Sequence, residues 1–119
     1  MSVRRVGGGG QITSIMVKVL LLFGKPVDRA GFDHYFEQTH RPLLAQLPDL
    51  KVLRINHVAG AVTGESPFYL IVELEFSSEK MMRNGLNSEL GQTMAKDFSN
   101  FASGGVTVLL CHSQATSLT

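Results

Sequence analysis

His40 is the side chain in this sequence best suited to moving a proton. It lies four residues after Phe36 and four before Leu44, on the apolar face of a helix that Pro42 interrupts. An imidazole with a reference pKa of about 6.5 exchanges protons near neutral pH, and a positioned general base contributes roughly 10²- to 10⁴-fold. The competing expectation is structural: the ring satisfies a backbone carbonyl freed by Pro42, or caps a half-helix. Asp97 is the second candidate. It borders the apolar stripe Met94, Phe98 and Phe101 late in a helix, where its charge opposes the macrodipole and must be offset. An imidazole such as His40 would do so, and Asp97 would then orient it; the plainer expectation is a solvated carboxylate beside Lys96.

Phe36 and Phe101 would form apolar walls around these two groups. His57 alternates with Leu53 and Ile55 and so shares their sheet face, which predicts a second imidazole in a pocket or a hydrogen-bonded structural one. Tyr69 offers a phenolic donor that would orient a ligand carbonyl or hydroxyl, or simply pack at an edge. Glu73 and Glu75 share a strand face roughly 7 Å apart, a spacing open to acid/base work, but ion pairing or solvent exposure explains it as well. No His-x-x-x-His pair occurs among the four histidines, so no metal is expected. Haem would need an axial ligand such as His40 or His57, and nothing local separates such a ligand from a pocket histidine. Cys111 and His112 are strand neighbours and point to opposite faces, which defeats a nucleophile–base pairing.

The elements that must position these groups follow from periodicity. Met16 to Phe23 is an apolar strand ended by Gly24 and Pro26. Asp28 caps a helix carrying Phe32, Tyr35, Phe36, Leu43, Leu44 and Leu47, with a break or kink near His40 and a stop at Pro48. Leu50 to Val62 and Pro67 to Phe76 read as a hairpin around Thr63–Ser66. Ser77 would cap a short helix through Met82, broken by Asn84, Gly85 and Asn87; Ser88 or Glu89 opens a longer one with Leu90, Met94, Phe98 and Phe101 on one face. Val106 to Cys111 is the last strand. The order predicts an α+β, ferredoxin-like βαββαβ domain: a four-stranded antiparallel sheet with both helices on one face. Its other face is left bare, which predicts a homodimer.

Composition sets the outer bounds. At 119 residues, 44% hydrophobic and 18% charged, the chain is one folded domain, and eleven basic against ten acidic residues gather no patch for nucleic acid. No apolar run is long enough for a membrane helix, and a single cysteine demands no oxidising compartment, so the cytoplasm is the default expectation. Residues 1–15, with Gly7–Gly10, read as a flexible leader of the kind an overlong gene start or expression remnant would leave before Met16. The domain is expected over residues 16–113, with a polar tail over 114–119.

In this frame the residues resemble the EthD-like family, named from an ethyl tert-butyl ether degradation cluster, within the dimeric α+β barrel group. The likeness rests on four features: the Met16 to Phe23 strand, Phe32 to Phe36 leading into His40-Arg41-Pro42-Leu43, the strand end Glu73-Leu74-Glu75-Phe76, and Asp97 before Phe101. Together they cover about residues 16 to 111. The resemblance implies two sheets joined into a barrel and a small apolar pocket between each sheet and its helices. It does not choose a reaction, since the wider group spans cofactor-free monooxygenases, cyclases, isomerases, decarboxylases and haem enzymes. The expected protein binds a small, apolar, oxygenated molecule, aromatic or polyketide-like. As an enzyme it would be a cofactor-free lyase, isomerase, cyclase or oxygenase working through His40. The alternative is a non-catalytic accessory or ligand carrier of an oxidative degradation pathway.

Overall fold

The structure, a computed structural model, describes residues 4–6 and 10–118, with side chains from Ile15 onward. Strands β1 (Arg4–Val6), β2 (Gly10–Gly24), β3 (Val52–His57), β4 (Phe68–Phe76) and β5 (Val106–Ser117) form one antiparallel sheet. Its main order is β5-β2-β4-β3, with β1 paired to the start of β2. Helices α1 (Arg29–Tyr35), α2 (Arg41–Ala45), α3 (Glu79–Asn87) and α4 (Glu89–Phe101) lie in the β2–β3 and β4–β5 connections. The ferredoxin-like α+β arrangement is therefore as the sequence predicts.

Alternation explains which face the helices cover. Val17, Val19, Leu21 and Phe23 of β2 stand beside Leu70, Val72, Leu74 and Phe76 of β4, and all eight are buried. They pack against Phe32, Phe36, Leu44, Met82, Met94 and Phe101 from the helices, at about 1.5–3 kcal/mol for each large side chain withdrawn from water. The molecule is 19 Å through its thinnest direction, room for one sheet and one helix layer at about 10 Å each. The opposite face carries Leu20, Leu22, Ile71 and Leu109, and Leu109 is 44% exposed. The same face holds an ion-pair network. Lys18 Nζ lies 3.0 Å from Glu73 Oε1 and 3.8 Å from Glu75 Oε1, Arg54 reaches Glu75 at 3.3 Å, and Asn56 donates to Glu73 at 3.0 Å. Burial pushes the Glu73 carboxyl up, but donation from Lys18 and Asn56 outweighs it and holds the group below its usual value.

Several boundaries differ from the sequence expectation. The first helix is capped by Asp28, whose carboxylate accepts from the Gly31 N–H at 3.1 Å, and the irregularity expected near His40 is present but does not interrupt the helix. Instead Phe36–His40 forms a π turn, Arg41 keeps helical angles, and its N–H donates to the Phe36 carbonyl five residues back. The widened turn accommodates Pro42, which has no N–H and whose ring crowds the preceding turn. Phe32, Phe36, His40 and Leu44 recur every four residues and all are buried. In a regular α-helix that stripe would drift by about 120°; one extra residue in the turn takes back about 100°.

β3 stops at His57 instead of Val62, because β4 runs only two residues past the His57–Leu70 pair, through the bulged Tyr69, whose carbonyl accepts from the Val58 N–H at 3.2 Å, to Phe68. α3 is capped by Ser78, not Ser77, and runs through Asn84 and Gly85. A Cβ on Gly85 would stand 2.6 Å from the Pro48 carbonyl oxygen and 2.9 Å from the Phe76 ring, so glycine here permits close packing instead of breaking the helix. β5 continues to Ser117, because ladder bonds to the long β2 hold the polar tail in register, Gln114 opposite Ile15 and Ser113 opposite Met16. Of the expected leader, residues 1–3 and 7–9 lie outside the described residues, and β2 starts at Gly10, ahead of the expected Met16.

Candidate functional site

The helix layer brings His40, Asp97, Phe36 and Phe101 together. His40 is fully buried, and its Nδ1 lies 2.9 Å from Asp97 Oδ2. Aromatic rings enclose it: Phe101 at 4.7 Å between centroids, Phe98 at 5.2 Å, Phe36 at 5.9 Å and Phe23 at 6.2 Å. Its other ring nitrogen, Nε2, is buried and has no hydrogen-bond partner among the described residues.

Asp97 is the hub. Its Oδ1 accepts from the Tyr35 hydroxyl at 2.5 Å and from Asn100 Nδ2 at 2.9 Å, while Oδ2 faces His40. These donors offset the unfavourable position of a carboxylate near the end of α4. Burial pushes the Asp97 carboxyl up, yet the bonds from Tyr35, Asn100 and His40 outweigh it and hold it below the usual carboxylate range. Burial lowers the His40 pKa in spite of the neighbouring carboxylate. The bond to Asp97, reinforced by burial, raises that of Tyr35. At neutral pH the group thus holds an ionised Asp97, a neutral His40 and a protonated Tyr35. An ionised carboxylate only accepts, so the hydrogen-bond network assigns the imidazole proton to Nδ1 and leaves a bare lone pair on Nε2.

The sequence alone does not mark Tyr35 and Asn100 as partners of Asp97. Tyr35 and His40 are five residues apart, which in a regular α-helix sets side chains about 140° apart; the π turn reduces this to about 40°. Both then reach one carboxylate. The signal in the sequence was the unbroken four-residue spacing from Phe32 to Leu44 ahead of a proline.

An open cavity of about 340 Å³ adjoins this group, lined by Phe32, Tyr35, Asn100 and Phe101 together with Asp28, Gly31 and Ser103. His40 does not line it, since the Phe101 ring, stacked on Tyr35 at 5.2 Å, faces the cavity on one side and His40 on the other. The other candidates stand apart. Tyr69 is the unmatched residue of a β-bulge between the pairs Phe23–Leu70 and Gly24–Phe68. Its ring packs on Phe32, its hydroxyl donates to Asp33 at 2.8 Å, and it lines a second cleft of about 410 Å³ with Lys25, Arg29 and the 58–66 loop. His57 is exposed at the end of β3 and takes part in none of the contacts around His40. Glu73 and Glu75 are occupied by the Lys18 and Arg54 ion pairs. Among the described residues no three His, Cys, Asp or Glu side chains converge as a metal site, and no helix is long and apolar enough to cross a membrane.

The comparisons agree with this architecture. An uncharacterized 11.0 kDa protein in the thcB-thcC intergenic region of Rhodococcus erythropolis is 35% identical over 95 residues, covering 79% of this chain and 91% of that protein. Among solved structures, an ethyl tert-butyl ether degradation (EthD) family protein of Bacillus halodurans superposes with a TM-score of 0.78 at 28% identity, covering 82% of this chain and 98% of its own. Two further structures share the fold. A dimeric ferredoxin-like protein of unknown function from Thermobifida fusca has a TM-score of 0.64 at 12% identity, covering 86% and 94%. A hydroxynitrile lyase from Passiflora edulis has a TM-score of 0.64 at 18% identity, covering 84% and 94%. The EthD domain family matches residues 25–105, a span that holds the Asp97 hub and every donor on it. On that match and the Rhodococcus relative, the chain belongs to the EthD domain family.

Proposed function

We propose that the protein is a homodimer that binds a small, apolar, oxygenated molecule, aromatic or polyketide-like, in the cavity beside Tyr35 and Phe101, and that His40 moves a proton on it once the Phe101 ring turns aside. The observation that carries this reading is the buried, unpartnered Nε2 of His40, a cost that evolution tolerates where the lone pair is used. Asp97 holds the opposite nitrogen and would stabilise the imidazolium formed when Nε2 takes a proton from an acidic C–H or O–H of the ligand. The same carboxylate fixes the ring by a bond at 2.9 Å, so the base is oriented before the ligand arrives. No redox partner is needed for such a step, which suits a lyase, isomerase or cyclase. The bare sheet face supports the dimer, as does the shared fold with a protein described as dimeric.

The test is deuterium exchange at the α carbon of small aryl ketones, followed by NMR in wild type and His40→Gln. Exchange that vanishes in the variant while binding persists is the expected result. Binding without exchange for every ketone removes the enzymatic reading. A second reading then holds, favoured by Phe101 standing between His40 and the cavity: a ligand carrier or accessory of a degradation pathway that uses only the cavity. His40 and Asp97 would in that case be positioning residues for Tyr35.

A further inference from the structure

We infer that the cavity selects molecules that donate a hydrogen bond, phenols and alcohols above all, and turns away carboxylates; this rests on reading that cavity as the ligand site. Two side-chain donors on its lining are already engaged, both by Asp97. The Tyr35 hydroxyl proton goes to Asp97 Oδ1, and so does one of the two Asn100 amide N–H groups. That bond fixes the Asn100 amide with its nitrogen toward the carboxylate and leaves its carbonyl oxygen over. Tyr35 keeps only the lone pairs of its oxygen. Asp28 spends Oδ1 on the Gly31 N–H at 3.1 Å and has Oδ2 remaining. Ser103 accepts from the Val27 N–H at 3.0 Å, and among the described residues its rotatable hydroxyl and the second Asn100 N–H are the side-chain donors left on the lining. No Lys, Arg or His among the described residues lines this cavity.

The polar lining is therefore rich in acceptors and includes one carboxylate, flanked by the Phe32 and Phe101 rings. An anion would meet the Asp28 charge with no cation to answer it. A phenol finds the complement: its ring against the two phenylalanines and its hydroxyl donating to the Tyr35 oxygen. The resulting chain, ligand O–H to Tyr35 oxygen and Tyr35 O–H to Asp97, polarises cooperatively because each bond strengthens the next. The second cleft has the opposite character, with two cations, Lys25 and Arg29, against the single carboxylate of Glu65 on its wall. A carboxylate would be drawn there instead.

The experiment compares three probes of one shape, p-cresol, 4-methylanisole and p-toluate, titrated into the full chain and followed by NMR at Gly31, Asn100 and Phe101. p-Cresol should bind at least about tenfold more tightly than the other two at these resonances, the scale of one unmade hydrogen bond at a half-buried group. Tyr35→Phe, which keeps the ring and removes the acceptor, should bring p-cresol down to the level of 4-methylanisole. Equal affinity for cresol and anisole, or toluate binding best at Asn100, overturns the selection while leaving the cavity as the ligand site. Shifts confined to Lys25, Arg29 and the 58–66 loop for all three probes overturn the selection and the cavity reading together.

Discussion

Replacing Asp97 by asparagine keeps the shape of the side chain and removes its charge and one acceptor. The new amide can still accept from Tyr35 and Asn100 through its oxygen, but its nitrogen then faces His40 Nδ1, where two N–H groups would collide. The imidazole resolves the conflict by switching tautomer: Nδ1 becomes the acceptor and the proton moves to Nε2, inside the cage of Phe23, Phe98 and Phe101. The variant thus exchanges charge-assisted bonds for neutral ones and buries an N–H without a partner. Hydrogen bonds to charged groups contribute about 1.5–3 kcal/mol each and a buried unsatisfied donor costs about 1–3, so a net loss of about 2–4 kcal/mol is expected. For a domain of this size that lowers Tm by about 8–16 °C. Urea unfolding followed by circular dichroism measures the loss, and ring ¹⁵N shifts of His40 read the tautomer. In wild type Nε2 should resonate as the unprotonated nitrogen at pH 7.5, and in Asp97→Asn the two nitrogens should exchange roles. A variant as stable as wild type with an unchanged tautomer would refute the reasoning.

Acid should weaken the wild-type fold through both groups. The His40 pKa is lowered in the folded state, so the unfolded chain binds a proton first, and stability falls as pH drops below about 6.5 toward the folded value. The depressed carboxyl of Asp97 adds a second loss below about pH 4, and a urea midpoint that stayed flat from pH 7 to 4 would contradict this. Gly85→Ala should destabilise by at least about 2 kcal/mol, although alanine is the better helix former by about 1, because the new methyl meets the Pro48 carbonyl and the Phe76 ring. Leu109→Lys, on the bare sheet face, should leave a folded monomer in size-exclusion chromatography with light scattering; a dimer that survives it locates the interface elsewhere. Phe101→Leu should open a path from the cavity to His40 and raise its accessibility to diethyl pyrocarbonate severalfold, whereas unchanged labelling would mean that Phe101 is not the barrier.

Alternation made the sheet legible, because a residue buried on a strand reveals its neighbours two positions away, as Leu70, Val72 and Leu74 do. Residue type and face likewise marked His40 and Asp97, since a histidine on an apolar stripe and an acid at a helix end each need a partner. What stayed hidden depends on contacts distant in sequence. Nothing near Asp97 announces Tyr35, 62 residues away, and nothing near Gly85 announces the Pro48 carbonyl. Alternation also misled at β3, where His57 follows the face of Leu53 and Ile55 but is exposed at the strand's end. Tyr69 misled in the other direction: the bulge turns it toward α1, which a strict two-residue repeat forbids.

The π turn has a consequence for comparing this chain with its kin. Such a turn is an α-helix carrying one supernumerary residue, here among the exposed Glu37, Gln38 and Thr39. A descendant that lost one of those codons and exchanged Pro42 for a helix former would recover a regular helix, bring its tyrosine and histidine to four-residue spacing, and keep every downstream position on its present azimuth. The Asp97 clamp would survive, while the partnership of Phe36 with His40 would be re-cut. Gaps in this helix therefore belong between Phe36 and His40, and the phase of the stripe places them more reliably than a count of residues from either end.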